Sequence, residues 1–573
     1  MGKGSAVEAL ADGVLDEIWQ SDDRGGHERL QTTGPRLIRR KEYPSMAALL
    51  FVILILLPVT TLGQPVHDSS VLKAQSARTE PLTISEVLAR IELTHPLLRA
   101  TGLERMEARA KILKALGAWE PTFKNITQAN RIQAYNFLIP NIVATGGFND
   151  TKLEVGHPYG FRIHAGIRNG FGDRQITADV TEATGAQGLE AGTIGFIPDP
   201  FGYYPLQQMI FGGEVHLLRG FMMNDEFADF QKAELAGPQA EVHVAQKRQD
   251  LYLAGAVQYW DWQVAVKQAE VQKRTLAVAE ERLQQVQGLA KGGKAAPLDV
   301  IEANQEVQDR REAAIAAQRR VEYEQYKLSL FLWEGGEPVT PRPEWAPEFQ
   351  GETPLPTAEE IAAYKVAAKE DRPEVRNLYI EAKMNNIDLK LAKNYLLPTF
   401  DFNGGRMDAP ADWIVGVGYR YGAQFAMPLF QREGRGKVMA AEADQQQLVL
   451  KQLYTEQQVS IDVDNWLSAI VRARDRVKAA TEALRMAKTL EEGERTRFNM
   501  GSSSVLFVNV RERNVVNMAY QLYRAQADYA VSRGGMLWAK GALSKPWPES
   551  ELAKYGNPLT AAGMTGYKQP GRD

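Results

Sequence analysis

The segment that most resembles a catalytic motif is glycine-rich and covers residues 288–295. Its sequence, GLAKGGKA, departs from the phosphate-binding pattern GxxxxGK[ST] at the last position, where Ala295 has no hydroxyl to bind magnesium. That motif also follows a strand, whereas a helical heptad pattern precedes this segment. The sequence therefore favours a glycine turn between two helices over a nucleotide site.

The remaining titratable side chains form no complete catalytic or metal-binding set. The chain has seven histidines and no cysteine, and no two histidines have the spacing of a metal pair on a helix. The absence of cysteine excludes disulfides, thiolate zinc sites and cysteine nucleophiles. Asp299 and Glu302 lie one helical turn apart, which suits acid–base work, but acids are also common at the start of a helix. We predict no enzyme activity, no metal and no cofactor.

The sequence is dominated by long seams, which are rows of apolar residues at spacings of three, four or seven. The helices that carry these seams position any functional residues at their ends. Between Val459 and Ala487 apolar residues recur at spacings of four and three, and after Gly501 they recur every seven residues from Val508 to Tyr529. Such spacing is typical of the arms of a coiled-coil hairpin. At 1.5 Å per residue, the incoming arm is roughly 100 Å long.

The hairpin occurs twice. Leu253 and Val459 occupy equivalent seam positions 206 residues apart, whereas the helix before the strands repeats at an offset of 277, from residues 95–123 to 372–400. The first repeat therefore holds 277 − 206 = 71 extra residues. A duplicated chain predicts a pseudo-symmetric molecule. We expect the excess to enlarge an outer loop or to plug a barrel mouth.

Between the opening helix of each repeat and its hairpin, the apolar residues no longer recur at helical spacing. They recur at every second residue, which is typical of a β-strand. In the second repeat one face of the alternation is apolar, and its residues include Trp413, Val415, Val417, Tyr419, Tyr421 and Phe425. A run of this length exceeds the usual ~5–6 residues of a soluble strand and suits a transmembrane β-strand. Residues 161–167 and 209–217 alternate similarly. A strand of a soluble β-domain is the alternative.

The N-terminal residues 1–63 are interpreted as an extension followed by a secretory signal peptide. Three basic residues at 39–41 precede an apolar block at 47–57 and a small-residue exit at 60–63. We expect cleavage after Gly63. A membrane anchor is the alternative, although the block is shorter than the ~20 residues of a spanning helix. The net charge of −4 argues against a nucleic-acid partner.

These patterns predict a mainly α-helical chain with membrane β-strands and two tandem repeats. A leader covers 64–81. Repeat 1 covers 82–335, with strands and a long insert at about 123–217. A proline-rich linker outside the packed core covers 336–357. Repeat 2 covers 358–543, with strands at about 399–430, and a tail covers 544–573.

The sequence resembles the TolC-type outer-membrane efflux proteins in a set of short segments that follow one another in the same order. The matching pieces are the opening helix LTISEVL at 82–88 with His95-Pro96, the strand-to-helix junctions at 217–220 and 427–433, and the hairpin tips at 293–300 and 497–508. The resemblance extends over about residues 82–543, and the set of segments occurs twice.

The resemblance implies a homotrimer in outer-membrane lipid. Four strands per chain are expected to form a shared twelve-stranded β-barrel, and twelve helices a periplasmic tunnel closed at the hairpin tips. A periplasmic adaptor (membrane fusion) protein and an inner-membrane transporter are the implied partners. The function is then the exit duct of a tripartite efflux or type I secretion system. A periplasmic coiled-coil adaptor or a structural protein of an export machine is the alternative.

The resemblance also implies that the tips carry adaptor docking and the gate. The candidate residues are Gly293, Leu298, Asp299, Val300, Glu302, Phe498, Gly501, Ser503, Leu506, Phe507 and Val508. Asp299 matches a family aspartate whose usual partners, a tyrosine and an arginine, are replaced here by Phe498 and Ser503. We therefore expect a gate closed more by packing, with Phe498 and Phe507 contributing. The charged residues at 491–497 are expected to form a solvated face.

Overall fold

A computed structural model describes residues 80–134, 142–172, 206–349, 351, 354–406 and 419–555. Its helices are α1 (Ile84–Thr94), α2 (Pro96–Gly102), α3 (Glu104–Leu116), α4 (Asp225–Lys291), α5 (Pro297–Ser329), α6 (Ala358–Asp371), α7 (Pro373–Asn394), α8 (Arg432–Asn499), α9 (Val505–Ala539) and α10 (Glu549–Leu552). Its strands are β1 (Thr122–Ala134), β2 (Ile142–His157), β3 (Phe161–Gly172), β4 (Leu206–His216), β5 (Trp333–Glu334), β6 (Glu337–Pro338), β7 (Thr399–Arg406) and β8 (Tyr419–Ala426).

The two predicted hairpins are present as α4–α5 and α8–α9. The helix α4 begins where the Asn224 side chain accepts a hydrogen bond from the Phe227 amide at 2.8 Å, with two acids in its first turn. The arms end at Gly293 and Gly501, whose φ angles of 70° and 73° suit glycine. The glycine turn expected at residues 288–295 is confirmed.

The seams pack as two apolar clusters. In the second hairpin Val459 and Val463 of α8 are fully buried and lie in one cluster with Tyr529 of α9. In the first hairpin the fully buried tryptophan is Trp262, whereas Trp260, which the seam pattern selects, is partly buried. The reason is that α1 and the segment after α5 also pack on α4, so a second side of this helix is covered.

The proline-rich linker is part of this packing, which corrects the expectation that it lies outside the core. Trp345 is 8% exposed and its carbonyl accepts a hydrogen bond from the Leu82 amide at 2.8 Å. The carbonyls of Pro341 and Pro347 accept from the amides of Gln325 and Gln263, both at 2.6 Å. Because Gln263 and Gln325 lie on the two arms of hairpin 1, these hydrogen bonds anchor the segment along that hairpin.

The long strands form one antiparallel sheet in the order β1-β2-β3-β4-β7-β8. The four strands per chain expected from the resemblance are therefore too few, since the described chain contributes six. The additional strands are β2 and β3, which belong to the 71-residue excess of the first repeat. That part of the excess lies in the sheet and not in a loop or a plug.

Several predicted features lie outside the described residues. They include the signal peptide, most of the leader, most of the tail and the strand residues Trp413, Val415 and Val417. No described helix combines the length and the apolar character that crossing a membrane requires.

Candidate functional site

The first candidate site is the apolar face of the sheet. The register places Ile163 opposite Gly213, Ala165 opposite Phe211, and Gly404 opposite Tyr421, all on one face. Large side chains on this face are exposed, with 51% of Ile163, 50% of Phe211 and 70% of Tyr421 accessible. The predicted shared face of Tyr419, Tyr421 and Phe425 is confirmed by the pairing of β8 with β7.

The opposite face of the same sheet is polar and charged. His216 Nδ1 lies 2.6 Å from Asp401 Oδ1, and Lys124 Nζ lies 2.8 Å from Glu154 Oε1. One face of the sheet is thus suited to lipid and the other to water. Among the described residues, no three potential metal ligands are gathered into a site.

The second candidate site is the tip of hairpin 1, where Asp299 acts on its own helix. Its Oδ2 accepts a hydrogen bond from the Ala296 amide at 2.9 Å, which satisfies a donor at the start of α5. Leu298 beside it is 71% exposed, whereas Val300 and Glu302 are partly buried. In this chain the contact of Asp299 is a helix cap.

The tip of hairpin 2 is organised around a buried acid. Glu494 is 9% exposed and accepts a short hydrogen bond from the Ser503 hydroxyl. Arg497 lies 3.7 Å from this carboxylate and Arg511 4.0 Å from it. Ser503 therefore ties the turn after Gly501 back to α8. Residues 491–497, expected to be a solvated face, thus contain one buried and paired carboxylate.

Apolar packing joins the two tips. Val286, Ala303 and Val505 are buried together, and Val300 and Phe498 pack against them. Val508 is also buried, at 1% exposure. In contrast, Leu506 and Phe507 are 53% and 58% exposed within the chain. The structure therefore brings Val300 and Phe498 together, while Phe507 points away from this cluster.

A buried polar network also connects the hairpins near the tips. Arg282 of α4 donates to Asn509 Oδ1 at 2.7 Å and to both carboxylate oxygens of Glu512 on α9, one of them at 3.0 Å. The side chains of Arg282 and Glu512 are each only 8% exposed. Because both partners are buried, losing Glu512 leaves the charge of Arg282 uncompensated, whereas losing Arg282 leaves Glu512 only Arg495 at 3.4 Å.

A second connection runs beside the first. Arg513 of α9 donates a short hydrogen bond to Glu306 of α5, which also accepts from Arg310 at 2.7 Å. The hydrogen bond to Glu306 raises the pKa of Arg513. Two arginines on opposite hairpins are thus each held by an acid of the other hairpin.

Comparison with known proteins identifies the architecture. No known family model and no curated protein matches the sequence. Among solved structures, the outer-membrane channel OprN is 12% identical and matches with a TM-score of 0.58 over 81% of this chain and 91% of its own. The CmeC outer membrane channel of Campylobacter jejuni is 12% identical, with a TM-score of 0.58 over 88% of this chain and 99% of its own. VceC of Vibrio cholerae is 13% identical, with a TM-score of 0.56 over 80% and 96%.

This chain has the fold of these outer-membrane channels. The resemblance to the TolC-type efflux proteins is thereby confirmed at the level of the fold. The fold comprises both helical hairpins and the six-stranded sheet.

The inter-hairpin network is the part of the site that the sequence patterns miss. Charged residues on a coiled-coil helix usually face water, so Arg282 and Glu512 read as solvated side chains. The available signal is positional: Glu512 follows Val508 by four residues and precedes Val516 by four, and it thus interrupts a buried apolar stripe.

Proposed function

We propose that the chain is the outer-membrane exit duct of a tripartite efflux or type I secretion system. The observation that carries the proposal is the combination, in one chain, of a sheet with an exposed apolar face and two hairpins whose first arms have 67 and 68 residues. Helices of this length reach about 100 Å, far beyond the thickness of a membrane. The sheet suits the lipid, and the helices suit a tunnel in the periplasm.

Several copies are required to build the duct. The described sheet ends at β1 and β8, and an open sheet edge has no hydrogen-bond partners in lipid. We therefore propose a homotrimer that shares one barrel, in line with the resemblance of the sequence. Substrates would pass through it from an inner-membrane transporter to the exterior.

The tips are proposed to dock the periplasmic adaptor. Leu298, Leu506, Phe507 and Val510 are 71%, 53%, 58% and 49% exposed, and exposed apolar residues at the end of a helical hairpin are typical of a protein contact. Glycines at positions 293 and 501 shape these ends.

The polar network behind the tips is proposed to hold the gate closed. The pairs Arg282–Glu512 and Arg513–Glu306 fasten one hairpin to the other. Opening a tunnel of this kind requires the hairpins to separate, so these pairs must break. Packing at Phe498 contributes to the same closure.

One substitution on the sheet separates the duct from its alternatives. An adaptor or a structural coiled-coil protein has no lipid-facing sheet, whereas the duct buries Ile163 in lipid. We expect Ile163→Arg to cost about 2–4 kcal/mol if the residue lies near the membrane centre. The readout is the fraction of full-length chain in the outer membrane that migrates as a heat-modifiable band, with Ile163→Leu as the control. Equal outer-membrane yields of both variants would exclude a lipid-facing sheet.

A further inference from the structure

The hairpin β2–β3 is inserted in the middle of the sheet. It lies between β1 and β4, and it pairs with both over its length, from Thr122 opposite Glu154 to Gly170 opposite Leu206. With 16 and 12 residues, β2 and β3 exceed the ~9–11 residues that a strand needs to cross a bilayer. The hairpin is therefore long enough to be part of a membrane wall.

The part of the hairpin near its turn continues the apolar face of the neighbouring strands. Ile163 and Ile167 of β3 lie on the same face as Phe211 and Met209 of β4, and all four are exposed. Leu153 of β2 shares this face and is 49% exposed. A hairpin folded away from the wall would have no reason to match this alternation.

The turn of the hairpin is fixed at the junction between sheet and helices. The Gly160 carbonyl accepts a hydrogen bond from the His216 amide at 2.9 Å, and the Pro158 carbonyl accepts from the Asn224 side chain at 3.0 Å. Gly160 has a φ of 83°, and its α-carbon approaches the Gly220 carbonyl so closely that a Cβ would lie 2.2 Å from that oxygen. The turn between β2 and β3 thus packs closely against the segment that connects β4 to α4.

A buried ion pair joins the two strands of the hairpin. Arg168 donates to both carboxylate oxygens of Asp150 at 2.6 and 2.7 Å, and its guanidinium lies 4.1 Å from the centre of the Phe148 ring. Arg168 and Asp150 are 1% and 5% exposed. Directly opposed charges of opposite sign favour this register of β2 and β3.

We propose that this hairpin widens the barrel from twelve to eighteen strands when three copies close. The inference rests on the proposed trimeric duct. Because six is an even number, β1 and β8 run in opposite directions, and β1 of one copy can pair antiparallel with β8 of the next. Each copy thus offers two strand edges whose occupant is a second copy of the chain.

The added strands change the width of the pore by a measurable amount. With strands ~4.8 Å apart and tilted by ~40°, a twelve-stranded barrel has a backbone radius of about 12 Å and an eighteen-stranded one about 18 Å. The cross-section grows about twofold. The mouth of this duct is accordingly suited to bulkier cargo than a twelve-stranded wall admits.

Distances between spin labels on the three copies test the width directly. The chain has no cysteine, so one introduced cysteine carries one label per copy. We suggest Met209→Cys on β4 and, separately, Ile163→Cys on β3, both exposed on the apolar face. Equivalent backbone positions are about 30 Å apart in an eighteen-stranded trimer and about 20 Å apart in a twelve-stranded one. Pulsed electron double resonance on full-length protein in detergent measures the distances between labels. Because the labels project outward from the apolar face, they lengthen both values by a similar amount, and the two walls differ by about 10 Å.

A deletion variant provides the internal comparison. Removing residues 142–172 takes out an antiparallel pair and leaves β1 antiparallel to β4, so a twelve-stranded wall can close. We expect the label distance at Met209→Cys to be about 10 Å longer in the full chain than in the deletion variant. If the deletion variant does not fold, the two full-length distances decide by comparison with those calculated for labels placed outside each of the two walls.

Two results would overturn the inference, and they differ in what else they affect. A label distance at Met209→Cys that matches a twelve-stranded wall, and is therefore no longer in the full-length trimer than in the deletion variant, means that the hairpin lies outside the wall, while the duct itself stands. A mass by light scattering that is not three chains removes the trimer and therefore also the proposed assembly.

Discussion

At the scale of single residues, close packing makes the second seam sensitive to one added methyl group. Gly535 of α9 faces Trp466 of α8, and a Cβ at this position would lie 2.3 Å from the indole. Gly534 next to it has open space around the same position. Gly534 and Gly535 are adjacent in one helix and differ in the space available to a Cβ, so alanine substitutions at the two positions can be compared directly.

We expect opposite effects from the two alanine substitutions. Gly535→Ala should destabilise the chain by about 1–3 kcal/mol because Trp466 must move. Gly534→Ala should stabilise it by up to about 1 kcal/mol because alanine is the better helix former. Thermal unfolding followed by circular dichroism measures both. Equal shifts of the two variants would contradict the packing of Trp466 against α9.

A second residue-scale prediction concerns pH. Burial raises the pKa of Asp462, and the nearby charge of Glu374 adds to this, although Arg372 opposes it from 3.4 Å. A carboxyl whose pKa is raised by folding binds its proton more tightly in the folded state, so its contribution to stability grows as the pH falls.

Replacing this carboxyl should remove that contribution. We expect Asp462→Asn to gain less thermal stability than the wild type between about pH 7 and about pH 4, the ordinary range of an aspartate carboxyl. The asparagine keeps an oxygen for Arg372, so the contact itself is retained. Unfolding temperatures at the two pH values give the comparison, and identical gains for both proteins would show that Asp462 titrates normally.

At the scale of elements, alternation reveals only some of the strands. It indicates β3, β4 and β8, which carry runs of alternating apolar residues at 161–167, 209–217 and 419–425. It misses β1 and β2 because Asn125, Thr127, Asn149 and Thr151 stand on the apolar face. These side chains bond to one another, with Asn149 Nδ2 2.6 Å from Thr127 Oγ1 and Asn125 Nδ2 2.7 Å from Thr151 Oγ1. These polar side chains interrupt the apolar alternation of β1 and β2, so a pattern based on hydrophobicity does not detect the two strands.

The helical elements were more predictable, since seam positions are set by packing alone. The arms of both hairpins and their glycine turns follow from spacing. The roles of the tips do not, because the partners of Asp299, Ser503 and Arg282 depend on which turns and helices come together. Asp299 bonds to its own helix, and the inter-hairpin contacts fall on residues that the pattern leaves unassigned.

The tip of hairpin 2 offers a prediction at this scale. Phe498 packs on the cluster of Val286, Ala303 and Val505, whereas Phe507 is 58% exposed. We expect Phe498→Ala to loosen the tip and to speed its cleavage by a protease in the isolated protein. Phe507→Ala should leave cleavage unchanged and weaken adaptor docking. The reverse order of cleavage rates would show that Phe507, not Phe498, packs the closed tip.

At the scale of the whole molecule, the two hairpins form equivalent scaffolds with different ends. The duplication predicts two long helical hairpins, and the structure contains them as α4–α5 and α8–α9. The number of strands was not predictable from the resemblance, because an inserted hairpin leaves the order of all other elements intact. The ion pairs between the hairpins were not predictable either: the partners expected for Asp299 are replaced in this chain, and Arg282–Glu512 and Arg513–Glu306 connect the hairpins at other positions.

Conductance tests the duct and its gate together. In a planar lipid bilayer, the purified full-length trimer should produce discrete current steps that are small while the tips are closed. Arg282→Ala leaves Glu512 only its longer contact to Arg495, at 3.4 Å within the same hairpin, and removes the bond between the hairpins, so its steps should be larger. Arg311→Ala breaks an exposed pair with Glu280, in which both side chains are nearly half exposed, and serves as the control.

The single-channel current of these three proteins is the most direct test of the account. It predicts small steps for the wild type and Arg311→Ala, and larger steps for Arg282→Ala. A complete absence of steps in all three proteins, when each is shown to be inserted in the bilayer, would contradict the central claim that this chain forms an outer-membrane conduit.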